Sequence, residues 1–465
     1  MATRESEIGT EVGTRARGAL THPDLQRLDD VNRDVLKPLG RPGKGWWILF
    51  GFVATGVLVF LAAWGNLVYR GIGMTGLASP VGWGVFITTF VFWVGIAHSG
   101  TLISAILFLF RAPWRQSIYR VSEAMTVFAV MTAGLFPLIH VGRVWFAYWL
   151  IPYPNSRFLW PNFKSPLVWD VFAITTYFTV SATFFFLGCI PDIAAARDRA
   201  TGLRKLFYTA ISFGWKGTDS QWHHFSKAYI FLAALATPLV LSVHSVVSWD
   251  FAMGIVPGWH TTIFAPYFVA GAIFGGFAMV LTIMIPARFI YGLQDLITMK
   301  HIDNMAKIIL LTGTIVGYAY LMELFVAFYS GAIYEMDAFK FRIAGPYWWA
   351  YAAMMSCNVL SPQFFWFKWC RENLWVIMII SMCVNVGMWF ERFVIVVISL
   401  SHEYEPWAWG IYRPSVTDMT ILAGSFCWFG FWFLLFTRLI PPVAIQELKE
   451  VMPSPLRRKK KEGHA

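Results

Sequence analysis

Cysteine is scarce in this chain. Five occur in 465 residues (Cys189, Cys357, Cys370, Cys383 and Cys427), with no CxxC or CxxCH spacing among them. That argues against covalent haem c and against a cysteine-ligated iron–sulfur cluster, and it implies no disulfide framework. Charge is scarce too, with Asp, Glu, Lys and Arg together making 14% of the residues. No polar stretch is long enough for a soluble domain. Residues 1–45 are polar and mixed in charge, and no apolar h-region precedes Trp46, so a cleavable signal peptide is not expected. This segment reads as a cytoplasmic tail, either a loose arm or a piece that packs on a partner subunit.

What the chain has in abundance is apolar surface. Hydrophobic residues make 57% of it and the mean hydropathy is +0.56, values of a polytopic membrane protein. The 24 Trp and 17 Tyr fit, because amphipathic rings collect at the two headgroup layers. Runs of spanning length predict an all-α domain over 46–440 with about ten transmembrane helices. They fall near 46–69, 81–110, 121–150, 166–190, 226–252, 263–286, 304–331, 345–364, 374–400 and 416–440. The run 345–364 is short and ends near Pro362, so a tilted or re-entrant segment also fits it. Spans two to five and six to nine read as two four-helix bundles, a pattern that hints at a duplicated unit, with spans one and ten flanking them.

Lysine and arginine set the expected orientation. Arg111, Arg115, Arg120, Arg197, Arg199, Arg204, Lys205, Lys216, Arg288, Lys300, Lys368 and Arg371 fall on the side of the two termini, as does the run Arg457–Lys461 in the basic tail 441–465. The other side holds only Arg70, Arg157, Lys164, Lys340, Arg342 and Arg413. Both termini are therefore expected in the cytoplasm of a bacterial cell, with the chain multi-pass in its inner membrane. The net charge of +11 is accounted for by topology and by anionic lipid, and calls for no nucleic acid. The longest loop, 191–225, is expected to hold a short interfacial helix. Its neighbours His223 and His224 make a poor metal site, because adjacent side chains on a helix point about 100° apart.

Ionisable residues inside the spans carry the functional signal. A charge at the bilayer centre costs about 2.5–3.5 kcal/mol even on lenient scales, so such groups usually face a bundle interior. His140 lies in the outer half of span three, with Arg143 expected one turn later on the same face. Asp170 follows the first-turn Pro166 of span four, and Asp250 ends span five. Because successive spans alternate in direction, all three come to the extracytoplasmic face. A carboxylate and a histidine converging there suit a quinol that loses two protons, one group accepting each as an electron leaves. His98 lies nearer mid-depth. Glu323 sits 19 residues into span seven, as His140 does into span three, and Glu391 and Arg392 lie in the outer half of span nine. With Glu123 near the inner end of span three, these are candidates for a proton path. The structural alternatives are a local ion pair for Glu391 and Arg392, and a snorkelling side chain for Glu123.

The stretch Ile96-Ala97-His98-Ser99-Gly100-Thr101-Leu102-Ile103-Ser104-Ala105 resembles a motif of the polysulfide-reductase membrane-subunit family, NrfD/PsrC-like. Pro137-Leu138-Ile139-His140-Val141-Gly142-Arg143 and Pro166-Leu167-Val168-Trp169-Asp170 are similar to its long, ten-helix branch, the quinol-oxidising membrane subunits of alternative complex III. The resemblance covers about residues 46–440. It implies a (mena)quinol site with His140 and Asp170 as ligands and His98, Arg143 and Asp250 around them. It further implies an extracytoplasmic iron–sulfur protein subunit, multihaem cytochrome c subunits and a homologous NrfD-like membrane subunit as partners. No haem or iron–sulfur cluster is then expected in this chain itself.

Two other classes fit part of the pattern. A haem b anchor usually supplies two histidines about 13–14 residues apart on one helix. Here spans two, three and five carry His98, His140 and His244 singly. An ion- or proton-coupled transporter would suit the intramembrane acids and the hint of a repeat, but such sites favour discontinuous helices near the midplane.

Overall fold

The computed structural model describes residues 35–112, 114–115, 118–151, 163–294 and 297–446. Most of the two tails, including the run Arg457–Lys461, and Arg157 lie outside the described residues.

Among the described residues the fold is helical throughout, and nine helices are long and apolar enough to cross a membrane. They are α1 (Lys44–Arg70), α2 (Val85–Leu109), α3 (Tyr119–His140), α4 (Pro166–Arg199), α6 (Asp219–Ala252), α7 (Phe264–Ile290), α8 (Met299–Tyr329), α11 (Leu374–Ser401) and α12 (Val416–Leu439). Short helices α5 (Gly202–Ile211) and α9 (Ile333–Ala344) lie between them. The remaining predicted span, 345–364, is a broken helix. α10 (Trp348–Met355) continues through a π-helical turn, Ser356–Leu360, and ends in a 3-10 turn at Trp366. At its start the Tyr347 hydroxyl donates to the carbonyl of Tyr412, and beyond its end Arg371 pairs with Asp303 at 2.8 Å, on the opposite face of the bundle.

Helix ends follow local chemistry. Pro166 occupies the first turn of α4, where its missing N–H costs nothing, after an extended Ser165. Thr218 with Gln221 and Ser415 with Asp418 form capping boxes that start α6 and α12. The third span is shorter than the run 121–150 predicts. Pro137 weakens the last turn of α3, and Gly142, at φ +77°, turns the backbone out of the helix. Arg143 is therefore extended and exposed, and does not share a helical face with His140. The loop after α4 is shorter than expected, since α4 runs on to Arg199 and α6 begins at Asp219, which leaves α5 as the interfacial helix.

Packing separates a core from a lipid-facing rim. α2 is buried along nearly its whole length and α7 along most of it, whereas α1 buries only Val53, Val57, Phe60 and Leu67. A helix that is apolar all round and buried all round belongs at the centre. α2, α3, α4 and α6 form one group, and α7, α8, α10 and α11 form the second. α2 and α7 join the two groups, and α1 packs with α12 at the side. The start of α1 and the end of α12 share one face, where the Arg438 guanidinium lies 5.1 Å from the centre of the Trp46 ring. We call this the terminal face, and the opposite one the distal face.

π-helical turns interrupt α2 at Leu102–Ile106 and α11 at Val394–Ile398. In α11 the indole N–H of Trp259 donates to the Ile395 carbonyl at 2.6 Å. Side-chain donors of this kind let an interrupted helix remain buried.

Candidate functional site

The distal end of the first helix group brings two of the predicted acids together. Asp170, in the second turn of α4, and Asp250, in the last turn of α6, lie side chain to side chain within hydrogen-bond reach. The antiparallel packing of these helices puts the start of one beside the end of the other. Trp169 and Trp249, one residue earlier in each helix, meet edge to face at 5.9 Å and close one side of the pair. Asp170 is only 6% exposed, and each carboxyl keeps an Oδ1 without a hydrogen-bond partner among the described residues. Two carboxyls can bond to each other only when one carries a proton, and each of these two keeps a further acceptor oxygen.

His140 ends α3, largely buried, and its Nδ1 has no hydrogen-bond partner among the described residues. It makes no ion pair with either aspartate, so the three predicted residues form an acid pair and a separate imidazole. Beyond it the 3-10 turn Val144–Leu150 presents Trp145, Tyr148 and Trp149 to the surface, each more than half exposed. The distal end of α3 thus continues into an apolar aromatic shelf.

His98 lies deeper. Its Nδ1 bonds the Val94 carbonyl, its ring stacks on Tyr177 at 4.9 Å, and Nε2 has no partner among the described residues. The Tyr177 hydroxyl donates to the Ala97 carbonyl at 2.9 Å, and Thr126 donates to the same oxygen at 2.7 Å. The ring of His244, from α6, lies 4.6 Å from that of His98 and is wholly buried.

The second helix group buries its own charges. Glu391 contacts its neighbour Arg392 and accepts from the Tyr320 hydroxyl, which in turn accepts from the Asn358 amide at 2.9 Å. The Arg392 guanidinium stacks over Phe268 at 4.5 Å, on the side of His244. Nearer the distal face Glu323 faces Arg342 at 4.0 Å, and Arg342 donates to Ser399 at 2.9 Å. The local ion pair expected for Glu391 and Arg392 is present, and it belongs to a longer buried polar chain.

At the terminal face Glu123 does not snorkel. It is 2% exposed and lies 3.7 Å from Arg120, which also binds Asp192 at 2.8 Å and the Gly188 carbonyl at 2.7 Å. Arg120 and Arg115 belong to the buried interior, and so does Arg342, although charge counting places all three in loops. Asp192, Tyr320, Asn358 and the pairing of Arg342 are not singled out by sequence. Their signal is weak: each is a lone polar residue in or beside an apolar run, and only the packing supplies its partner. Among the described residues no three His, Cys, Asp or Glu side chains converge as a metal site, and His223 and His224 diverge, with their rings 6.1 Å apart and at 80°.

Comparison with known proteins places the chain in a family. The family model described as polysulphide reductase, NrfD, matches residues 73–401, a range that holds His98, Glu123, His140, Asp170, Asp250, Glu323 and Glu391. A protein of Halobacterium salinarum, provisionally named as the C-type membrane subunit of dimethyl sulfoxide reductase, is 24% identical over 340 residues, 73% of this chain and 69% of its own length. The C subunit of selenate reductase from Mesobacillus selenatarsenatis is 27% identical over 157 residues, about a third of either chain. With most of its length matched and its spans in place, the chain belongs to the NrfD, or polysulphide reductase, family of multi-pass membrane proteins.

Proposed function

We propose that the chain binds a quinol at the distal end of its first helix group and accepts the quinol's protons while electrons leave to a partner subunit. The observation that carries this reading is the Asp170–Asp250 pair, closed on one side by Trp169 and Trp249, with a His140 Nδ1 at the same end that has no hydrogen-bond partner among the described residues. Oxidising a quinol to a quinone releases two electrons and two protons. The free carboxylate oxygen of the pair takes one proton and His140 the other, both acting as general bases. The shelf suits an amphipathic ligand with a polar head and a lipid-soluble tail. His98 lines the deeper approach, and Asp250 holds Asp170 in place. Arg143, extended and exposed, sits at the mouth.

The relatives' names, a membrane subunit of dimethyl sulfoxide reductase and a subunit of selenate reductase, support membership of a redox complex and favour quinol on the donating side. The chain is then inactive alone and needs an iron–sulfur protein subunit against the distal face, taken as extracytoplasmic, with both termini cytoplasmic. The motifs around His98, His140 and Asp170 extend the proposal to an assembly like alternative complex III. In it menaquinol is the donor, multihaem cytochrome c subunits receive the electrons, and a second NrfD-like subunit lies alongside. Glu123, Glu323, Glu391 and Arg392 would serve proton translocation across the bundle.

A haem b anchor has less support. The rings of His98 and His244 are 4.6 Å apart, whereas axial imidazoles on opposite faces of one iron have centres about 6 Å apart, given metal–nitrogen bonds near 2 Å. Photolabelling of the assembled complex with an azidoquinone tests the reading. Labels on α3, α4 and α6 near their distal ends are expected, and labelling confined to other helices would overturn it.

A further inference from the structure

We infer that the terminal face holds a built site for the phosphate headgroup of an anionic phospholipid. A cleft of about 360 Å³ opens between the turn Lys37–Leu39, the last turn of α4 and the first turns of α5. Its polar lining is Lys37, Arg199, Thr201, Arg204 and Tyr208. Among the described residues three cations thus meet with no acidic side chain in the lining, and none of the three forms an ion pair there. Like charges gathered without a counterion repel one another, and a bound anion relieves that repulsion.

Three further features point to a ligand rather than to a solvated patch. The Tyr208 hydroxyl lies beside Arg204 on a residue only 3% exposed and lacks a well-formed hydrogen bond; its burial pushes the phenol above the ordinary tyrosine value. Arg204 is held in place by donating to the Leu39 carbonyl at 3.0 Å and the Arg438 carbonyl at 3.3 Å, which leaves guanidinium donors over. The ten-residue α5 starts at this cleft, and Thr201 makes no side-chain cap, so first-turn N–H groups remain for an anion.

The position selects a lipid over a free ion. α5 is amphipathic, with Leu203, Leu206 and Phe207 exposed at 85%, 68% and 44%. It joins two long spans, so these side chains lie where acyl chains meet the headgroup layer. A phosphodiester in the cleft would place its acyl chains along them. Basic pockets between transmembrane helices are the usual seat of such headgroups.

The test uses the assembled complex in phosphatidylcholine nanodiscs doped with phosphatidylglycerol, with co-purifying lipid read by native mass spectrometry. Lys37 and Arg199 are exposed and hold no other element in place, so K37Q and R199Q should fold. Each should weaken phosphatidylglycerol retention by about fivefold, and the pair by about 25-fold. Y208F should weaken retention further without changing overall charge. Neutralising Lys216 and Lys227, on the same face but outside the cleft, serves as the control. Unchanged retention in the K37Q/R199Q variant would overturn the inference. So would an equal loss in the control, which would mean diffuse surface charge. Displacement of the lipid by millimolar inorganic phosphate would assign the cleft to a free anion instead.

Discussion

Replacing Asp170 by Asn is the sharpest test of the carboxyl pair. Asparagine keeps the shape and donates an N–H to Asp250, so the contact between α4 and α6 survives without a shared proton. What is lost is a proton acceptor that is 6% exposed and has one oxygen unpartnered. A positioned general base contributes roughly 10²–10⁴-fold, and D170N should lose that much quinol turnover per assembled complex. Asp250→Asn should lose less if Asp170 faces the substrate and Asp250 holds it. The double variant should be little worse than D170N, because residues acting as one unit are not additive. The assay is quinol oxidation by the purified complex, normalised to assembled protein, with quinol binding measured separately. A purely structural acid pair would instead lower the yield of complex and leave turnover normal in what survives. Near-normal turnover in D170N would refute the reasoning.

Further outcomes follow from the other clusters. H140A should lower turnover by a similar factor and weaken quinol binding by about 1 kcal/mol, the net worth of one hydrogen bond, read from the KM and from competitive inhibitor titration. R120A removes the cation that Asp192 and Glu123 face, each 2% exposed, and should destabilise the complex by about 3–5 kcal/mol in thermal unfolding, with R120K milder. Glu391→Gln should leave quinol oxidation near normal and abolish proton uptake in proteoliposomes if the Glu391–Tyr320–Asn358 chain conducts protons; unchanged pumping removes it from any path. Single cysteines at Lys216 and Glu403, on opposite faces, should label from opposite sides of the membrane, Lys216 from the cytoplasm. The isolated chain should show no stoichiometric Soret band.

Sequence alone carries the spans well and the contacts poorly. Nine of the ten runs form helices long and apolar enough to cross a membrane, and the loops fall where Gly, Pro and charge interrupt them. The exception is 345–364, where Pro362 marks the irregularity and the chain forms a broken helix. Matching depth along alternating spans is also enough to bring Asp170 and Asp250 to one end. Depth does not give azimuth, however. Whether His140 meets those acids depends on rotation about α3 and on where α3 ends, and the turn at Gly142 removes Arg143 from the face that periodicity would assign it.

The buried cations show the same limit from the other side. Arg115 and Arg120 stand before span three and Arg342 stands between spans, where lysine and arginine ordinarily meet water or headgroups. A positive-inside count cannot distinguish a loop cation from one that folds inward onto a partner, because the partner comes from a distant helix: Asp192 lies 72 residues from Arg120, and Ser399 lies 57 from Arg342. Each inward-facing cation needs an acid or a carbonyl to offset its desolvation, so each reports a fixed contact between helices. These contacts join α3 to α4 at the terminal face and α8 to α9 and α11 at the distal face. They leave the Asp170–Asp250 pair as the acid cluster with no cation bonded to it among the described residues. An acid pair with no counter-charge is free to exchange its proton with a ligand, which a carboxylate locked to arginine is not.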